Sequence, residues 1–219
     1  MHILPAFREA RNETLFDLMR AYPLGLLITH GQDGQGGQGG LVATPLPFLI
    51  YADEGQNGTL RAHLARANPH WHALRQAAEC LVVFQGAQGY ITPSWYATKQ
   101  ETHEVVPTWN YATVHAWGAP RVVEEAAWLR RQLDDLAHAR ESIRPEPWAI
   151  GEAPQEFIAA QMQAIVGIEI PIGRIEGKWK MSQNRPAADR AGVVDGLHNP
   201  QDPHGNAALA EQVAERHLR

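Results

Sequence analysis

The sequence contains a single cysteine, Cys80, among 219 residues. This excludes an intrachain disulfide and a cysteine-rich zinc site. Cys80 lies in the apolar run 79–84 (ECLVVF), which favours a small buried side chain over a reactive thiol.

The sequence also lacks a long apolar run and an excess of positive charge. No stretch is long enough to span a bilayer, and the N-terminus has no basic segment followed by an apolar one, so we expect a cytoplasmic protein without a membrane segment. Its 19 Lys and Arg residues are outnumbered by 24 Asp and Glu, for a net charge of -5. This balance argues against direct nucleic-acid binding.

The 11 histidines show no spacing typical of a metal site. His70 and His72 are two residues apart, so their side chains diverge on a helix. His63, His103 and His115 are scattered, without a carboxylate or cysteine at a supporting spacing. We therefore expect no protein-bound metal. No nucleophile elbow or ordered Ser-His-Asp set is present either.

Hydrophobic periodicity and turn residues predict several strands joined by short connections, with helices at the start, middle and end. The strand candidates are 24–30, 41–51, 59–64, 80–85, 89–92, 111–123 and 164–175. The helix candidates are 12–22, a segment opening at Asn68-Pro69, the region of Leu129 to Arg140, 154–162 and two stretches within 186–219. The glycine-rich segment 31–40 is typical of a hairpin tip; the alternative is a nucleotide-binding loop.

This order of elements favours an α+β fold, with a small closed antiparallel barrel and helices packed outside it. The length requires no second domain, so we predict one domain over 1–219. Within it, about 1–180 would form the barrel and its helices and about 181–219 a helical tail.

The junction between strand 59–64 and the following helix is the first candidate binding site. Asn68 as N-cap and Pro69 at the first helical position predict a helix start, where free N–H groups attract anions. Arg66 lies just upstream and can add a contact to a phosphate. The alternative is an ordinary capped helix with a solvated arginine.

Two aromatic segments and one basic segment are further candidates. Residues 90–96 (YITPSWY) and 106–111 (VPTWNY) combine apolar faces with a few polar groups, as a planar heterocycle requires. The alternative is that they are core or dimer-interface aromatics, and both interpretations can hold together. Residues 178–185 (KWKMSQNR) concentrate positive charge and amides, which suits a phosphate or an acidic partner, or simply a solvated turn.

Four of these segments together resemble the PaiB-like family. Residues 84–86 with 90–96 are similar to its FQG and YISPSWY block, and residues 106–118 to its VPTWNY, VH and G block. Residues 61–71 (RAHLARANPHW) resemble its GH-ARANP-W segment, and residues 180–185 (KMSQNR) its KLSQNR segment. The matches occur in the family's order.

The resemblance implies a split barrel related to the pyridoxamine-phosphate oxidase fold, assembled as a homodimer with FMN at the interface. It also implies a role in repressing transcription. Our interpretation is an FMN-binding homodimer that acts in regulation by sensing redox or metabolite state. One predicted cofactor-binding residue, Thr44, lies in the strand that corresponds to the family's ATHLPL strand. The others lie in the matching segments and are His63, Arg66, Asn68, Trp109, Asn110, Lys180, Gln183 and Arg185.

Two positions depart from the family pattern. Pro45 stands where the family's ATHLPL strand has histidine, and Ala87-Gln88 replaces a Pro-His pair. Chemistry that depends on those imidazoles is therefore in doubt, whereas binding is less affected.

Two other functions remain open at this stage. One is a small flavin-dependent oxidoreductase whose regulatory effect is indirect, and the other is a haem-binding split barrel in which a histidine ligates iron. A flavin spectrum, a Soret band and turnover with NAD(P)H would separate the three.

Overall fold

The structure, a computed structural model, describes residues 1–31 and 39–217. The strands are β1 (Arg8–Glu9), β2 (Leu24–Gly31), β3 (Gly40–Pro47), β4 (Leu49–Tyr51), β5 (Thr59–Ala65), β6 (Cys80–Ile91), β7 (Thr108–Gly118), β8 (Arg121–Val123) and β9 (Ile165–Lys180). The α-helices are α1 (Asn12–Ala21), α2 (His70–Gln76), α3 (Thr98–Glu101), α4 (Ala126–Glu141), α5 (Gln155–Gln163), α6 (Ala187–His198) and α7 (Ala207–His217). Short 3-10 helices cover Pro5–Phe7, Pro93–Trp95 and Ile150–Glu152.

Hydrogen bonds order the strands as β3-β2-β6-β7-β9-β5-β4, and β1 and β8 also pair with β9. The pairings with a described register are all antiparallel. The predicted α+β class with an antiparallel sheet is therefore confirmed.

The chain divides into two compact units. We call them the terminal unit (Met1–Leu18, Gln85–Val114 and Glu176–Arg219) and the central unit (Met19–Phe84 and His115–Ile175). The two tail helices predicted after residue 186 are confirmed as α6 and α7, and they belong to the terminal unit. The single domain over 1–219 stays a prediction.

In the central unit, β2 and β3 form the predicted hairpin. Their register runs from Leu24 opposite Pro47 to Gly31 opposite Gly40. The tip itself, residues 32–38, lies outside the described residues. On the other side of the unit, β5 pairs with β4 and β9, and β9 also pairs with β8.

The prediction of one strand over 41–51 is wrong, because β3 and β4 are separated at Phe48. Prolines at 45 and 47 have no N–H to donate to a ladder. The Phe48 N–H donates to the carbonyl of Pro23 over 2.9 Å, and its side chain is fully buried. Phe48 thus anchors the chain in the core where a ladder would otherwise continue.

The prediction of two strands joined at Gly86 is also wrong, because β6 continues from Cys80 to Ile91. A Cβ at position 86 would lie 2.9 Å from Leu18 Cδ1. The glycine therefore allows close packing within the terminal unit and does not mark a turn.

A hydrophobic cluster in the central unit packs α4 and α5 against the sheet. Val123, Trp128 and Leu129 form a buried cluster, against which Met162 and Ile165 pack. Cys80 is also buried, as predicted, and its thiol donates to the carbonyl of Gly118 over 3.4 Å. Burial raises the pKa of Cys80 to about 12, so the thiol stays protonated at neutral pH.

In the terminal unit, α6 holds the segment around α3. The buried carboxylate of Asp189 accepts hydrogen bonds from the Thr98 backbone N–H and hydroxyl, over 2.9 and 3.0 Å. Trp95 Nε1 donates to Asp202 over 3.1 Å, beyond the end of α6. No helix in the described ranges is long and apolar enough to cross a membrane.

Candidate functional site

Strand β3 and the start of α2 bring three polar side chains together in the central unit. We call Thr44, Asn68 and His70 the Thr44 cluster. His70 Nδ1 lies 2.8 Å from Thr44 Oγ1, and Asn68 Nδ2 donates to the same oxygen over 3.4 Å. Asn68 Oδ1 also accepts from the His70 backbone N–H over 3.0 Å. The predicted N-cap is wrong by one residue, because α2 begins at His70 with Pro69 as its N-cap.

His70 is the buried member of the cluster. Its side chain is fully buried, and Nε2 has no hydrogen-bond partner among the described residues. Burial lowers the pKa of His70, so the imidazole is neutral at physiological pH. Buried polar atoms without a hydrogen-bond partner are uncommon in folded proteins, and we therefore take the Thr44 cluster as a candidate functional site.

Arg66 is bound to the surrounding chain by its guanidinium. Nη1 pairs with Glu124 over 2.6 Å, Nε donates to the Gln163 carbonyl over 3.0 Å, and Nη2 donates to the Ile165 carbonyl over 3.3 Å. The side chain is 39% exposed, so a ligand can still approach it. Arg66 thus ties the end of β5 to the connection between α5 and β9.

His63 points in another direction. Its Nδ1 lies 2.8 Å from Oε1 of Gln132 on α4. The Nε2 atom of Gln132 has no partner among the described residues. The neighbouring Arg61 on β5 donates to Glu169 and Glu54 over 2.8 and 2.7 Å. His63 therefore belongs to the packing of β5 against α4.

Trp109 and Asn110 differ in accessibility, as adjacent residues of β7 in the terminal unit. The indole of Trp109 is 47% exposed, and its Nε1 donates to Gln88 over 2.6 Å. Asn110 is fully buried and exchanges hydrogen bonds with the Ser182 hydroxyl over 2.9 and 3.3 Å. Trp109 is accessible to a ligand, whereas Asn110 holds the turn after β9.

The predicted basic segment forms that turn. Ser182 has a φ of 61°, a conformation that non-glycine residues rarely adopt. Gln183 stabilises it, because its Oε1 accepts from the Met181 N–H and its Nε2 donates to the Trp179 carbonyl, both over 2.6 Å.

The two cations of this segment contact different partners. Lys180 Nζ donates to the Thr108 hydroxyl over 2.5 Å. Arg185 lies over the Tyr96 ring, 4.5 Å from its centroid.

Of the nine predicted residues, Thr44 and Asn68 are in direct contact, and Arg66 precedes Asn68 by two positions. Sequence reasoning missed His70 as their partner, since its position after Asn-Pro predicted a helix start and nothing more. It also missed Ser182, which only the turn geometry identifies. No group of three metal-ligating side chains is found in the ranges 1–31 and 39–217.

One family and several known proteins are similar to this chain. A family described as "Putative FMN-binding domain" matches residues 1–174. An uncharacterized protein of Emericella nidulans is 34% identical, with 99% of this chain and 97% of that protein covered. The Protease synthase and sporulation protein PAI 2 of Bacillus subtilis is 29% identical, with 98% and 95% covered.

Solved structures share the fold at low identity. The flavocytochrome Anf3 from Azotobacter vinelandii has a TM-score of 0.57 at 16% identity, over 87% of this chain and 78% of that one. The FAD and heme binding protein from Mycobacterium smegmatis has a TM-score of 0.53 at 19% identity, over 78% and 72%. The split-barrel fold with peripheral helices is confirmed, and the chain belongs to the PaiB-like family of FMN-binding domains.

Proposed function

We propose that this protein binds FMN and acts as a flavin-dependent regulator. The match of the FMN-binding family to residues 1–174 carries the proposal. When bound, a flavin supplies electron-transfer chemistry, and the protein's own residues bind and orient it.

The donors of the central unit fit part of FMN. Its phosphate is dianionic, and its ring carries carbonyl oxygens, so these atoms need donors when they leave water. The Thr44 hydroxyl, the Asn68 amide and the partly exposed Arg66 guanidinium supply such donors. We propose that Arg66 and Asn68 bind the phosphate, together with Thr44.

The other predicted residues remain proposals with unequal support. Trp109 offers an exposed aromatic surface, and Lys180 and Arg185 are cations. His63, Asn110 and Gln183 already hydrogen-bond within the protein. A contribution from these three would act through the position of neighbouring groups.

The visible spectrum of the purified protein tests the cofactor directly. The protein is incubated with FMN and desalted, and riboflavin serves as the control without a phosphate. Retention of flavin absorbance with FMN, and weaker retention with riboflavin, supports the proposal. A Soret band with no flavin retained would instead favour haem, and NAD(P)H oxidation by the loaded protein would favour an oxidoreductase.

A homodimer is the second part of the proposal, supported by an apolar face on the β2–β3 hairpin. Residues directly opposite in an antiparallel pair lie on one face. Leu24, Leu26 and Ile28 of β2 lie opposite Pro47, Pro45 and Ala43 of β3, and the exposed Leu41 lies opposite His30. We call this surface the hairpin face.

The leucines of the hairpin face are highly exposed for large apolar side chains. Leu24, Leu26 and Leu41 are 65%, 38% and 80% exposed. Contiguous apolar surfaces of this kind mark interaction sites, and most soluble oligomers pair identical surfaces. We therefore propose a second copy of the chain as the occupant of this face.

The regulatory role is proposed without direct contact to DNA. Support comes from the Bacillus subtilis relative, which is named a sporulation protein. The acidic balance of 24 carboxylates against 19 cations disfavours an operator-binding surface. The protein would then act on a partner according to the state of its flavin, in the cytoplasm.

A further inference from the structure

We propose that His70 is a positioning residue, which holds its proton on Nδ1 and thereby turns the Thr44 hydroxyl proton towards an oxygen acceptor of the ligand. The proposal rests on the FMN site proposed above. It assigns a function to a buried histidine that the sequence motifs did not single out.

Proton counting at Thr44 Oγ1 leads to this assignment. A hydroxyl has one proton to donate and two lone pairs that accept. Asn68 Nδ2 can only donate, so it occupies one lone pair over 3.4 Å. The 2.8 Å contact with His70 Nδ1 then runs in one of two directions, depending on the imidazole tautomer.

The two directions leave different atoms of His70 without a partner. If Thr44 donated to Nδ1, the proton of the neutral ring would sit on Nε2, as a buried donor without an acceptor among the described residues. If Nδ1 donates to Thr44, Nε2 is an unprotonated acceptor in the same place. Orphaned buried N–H donors are the rarer case in proteins, so the structure favours the Nδ1–H tautomer.

In this tautomer Thr44 Oγ1 accepts two hydrogen bonds, one from Asn68 and one from His70. Its own proton can then be donated only to a third group. Among the described residues, the Thr44 hydroxyl has no hydrogen-bond partner beyond Asn68 and His70. Thr44 is only partly buried, so an acceptor can reach it from outside. A phosphate oxygen or a flavin carbonyl has the required chemistry.

The tautomer can be read without any ligand. Long-range 1H–15N spectra of protein labelled at histidine nitrogens distinguish protonated from unprotonated ring nitrogens, and a His70→Asn variant assigns the signal. A proton on Nδ1 is expected. A proton on Nε2 would overturn the proposal, whether or not the protein binds FMN.

The binding test uses matched variants. His70→Phe and Thr44→Val should each weaken FMN binding by about tenfold, the usual effect of one lost hydrogen bond. His70→Asn places an amide N–H near the Nδ1 position and should restore most of the affinity.

The double variant Thr44→Val/His70→Phe should bind FMN no more weakly than Thr44→Val alone. Additive losses would mean that His70 supports the fold and does not act through Thr44, and would overturn the proposal. Riboflavin identifies the acceptor: an equal loss points to a ring carbonyl, and an unchanged affinity points to the phosphate. If the unaltered protein binds no flavin, the proposed function fails, while the tautomer still decides the assignment of His70.

Discussion

Arg66 uses three guanidinium nitrogens within the protein and still exposes 39% of its side chain. Two of its partners are backbone carbonyls, which carry only partial charge. The third, Glu124, is also paired with Arg75. An arriving phosphate could therefore share the guanidinium and displace Glu124, which would retain Arg75.

Replacing Arg66 by alanine should weaken FMN binding by roughly ten- to a hundredfold, because one charged hydrogen bond contributes about 1.5–3 kcal/mol. Riboflavin affinity should scarcely change. Isothermal titration with both flavins measures the difference. The matched control is Glu124→Gln, which removes the competing carboxylate but keeps Arg66 and should leave FMN binding unchanged or stronger. Equal losses for FMN and riboflavin in Arg66→Ala would contradict the phosphate assignment.

Helix α4 depends on a glycine in the strand beneath it. A Cβ at Gly167 of β9 would lie 2.2 Å from Cζ3 of Trp128, which is buried in the central core. Trp128 also donates to Glu169 over 3.3 Å, so its ring is held at both ends. The indole therefore has little freedom to move aside.

Gly167→Ala should lower the free energy of unfolding by ~1–3 kcal/mol, the usual cost of overpacking. Urea titration measures it. Gly151→Ala is the matched control, since nothing lies within 4 Å of a Cβ there, and its effect should stay within about 0.5 kcal/mol. Equal effects at both positions would show that close packing against Trp128 is not the cause.

Helix α7 is connected to β1 through a buried carboxylate. Glu9 is 4% exposed, and Arg11 and Arg216 both pair with it; the Arg216 contact spans 2.6 Å. Burial alone would raise the pKa of Glu9, but hydrogen bonds from Arg11 and Arg216 lower it to about 2. The carboxylate is therefore more acidic in the folded than in the unfolded chain.

A lowered carboxyl pKa contributes stability above its unfolded value of 4.5, and this contribution disappears as the pH falls towards 2. Glu9→Gln should thus destabilise the protein by about 2 kcal/mol at pH 7, with a smaller difference from the unaltered protein below pH 4. Thermal unfolding across this pH range tests it. The control is Glu215→Gln, because Glu215 is an exposed carboxylate on α7, the helix that carries Arg216. The stability change of this variant should not depend on pH in this way.

The exposed hairpin face predicts that the protein forms a homodimer. Sedimentation at micromolar concentration should therefore show the mass of a dimer. Leu26→Glu should give a monomer, because a buried unpaired charge opposes association. Ile143→Glu is the control: Ile143 is 88% exposed and far along the chain from the hairpin, so the dimer should persist. A monomeric unaltered protein that still binds FMN would refute the homodimer.

Direct binding to DNA should be absent or weak. Counterion release requires clustered cations, and acidic side chains outnumber basic ones here. Footprinting at several salt concentrations measures it. A nanomolar, salt-sensitive footprint on a specific sequence would contradict the indirect regulation proposed above.

Local sequence patterns were sufficient for most of the elements. Hydrophobic periodicity and proline positions placed α1, β2, β5 and α5 within one or two residues of their observed ends. They failed at Gly86 and Phe48, where the backbone is set by partners distant in sequence. Glycine has the same local signature in a turn and in a closely packed strand, so the pattern cannot separate them.

For the candidate site, the motifs alone identified the family and the segment containing Arg66 and Asn68. The burial of His70, and its contact with Thr44 across 26 positions of sequence, arise only when the hairpin folds onto α2. The same holds for Ser182 and Asn110, which are 72 positions apart. Residue types set which hydrogen bonds are chemically available, whereas tertiary packing selects the partners, because burial removes the water that would otherwise satisfy those groups.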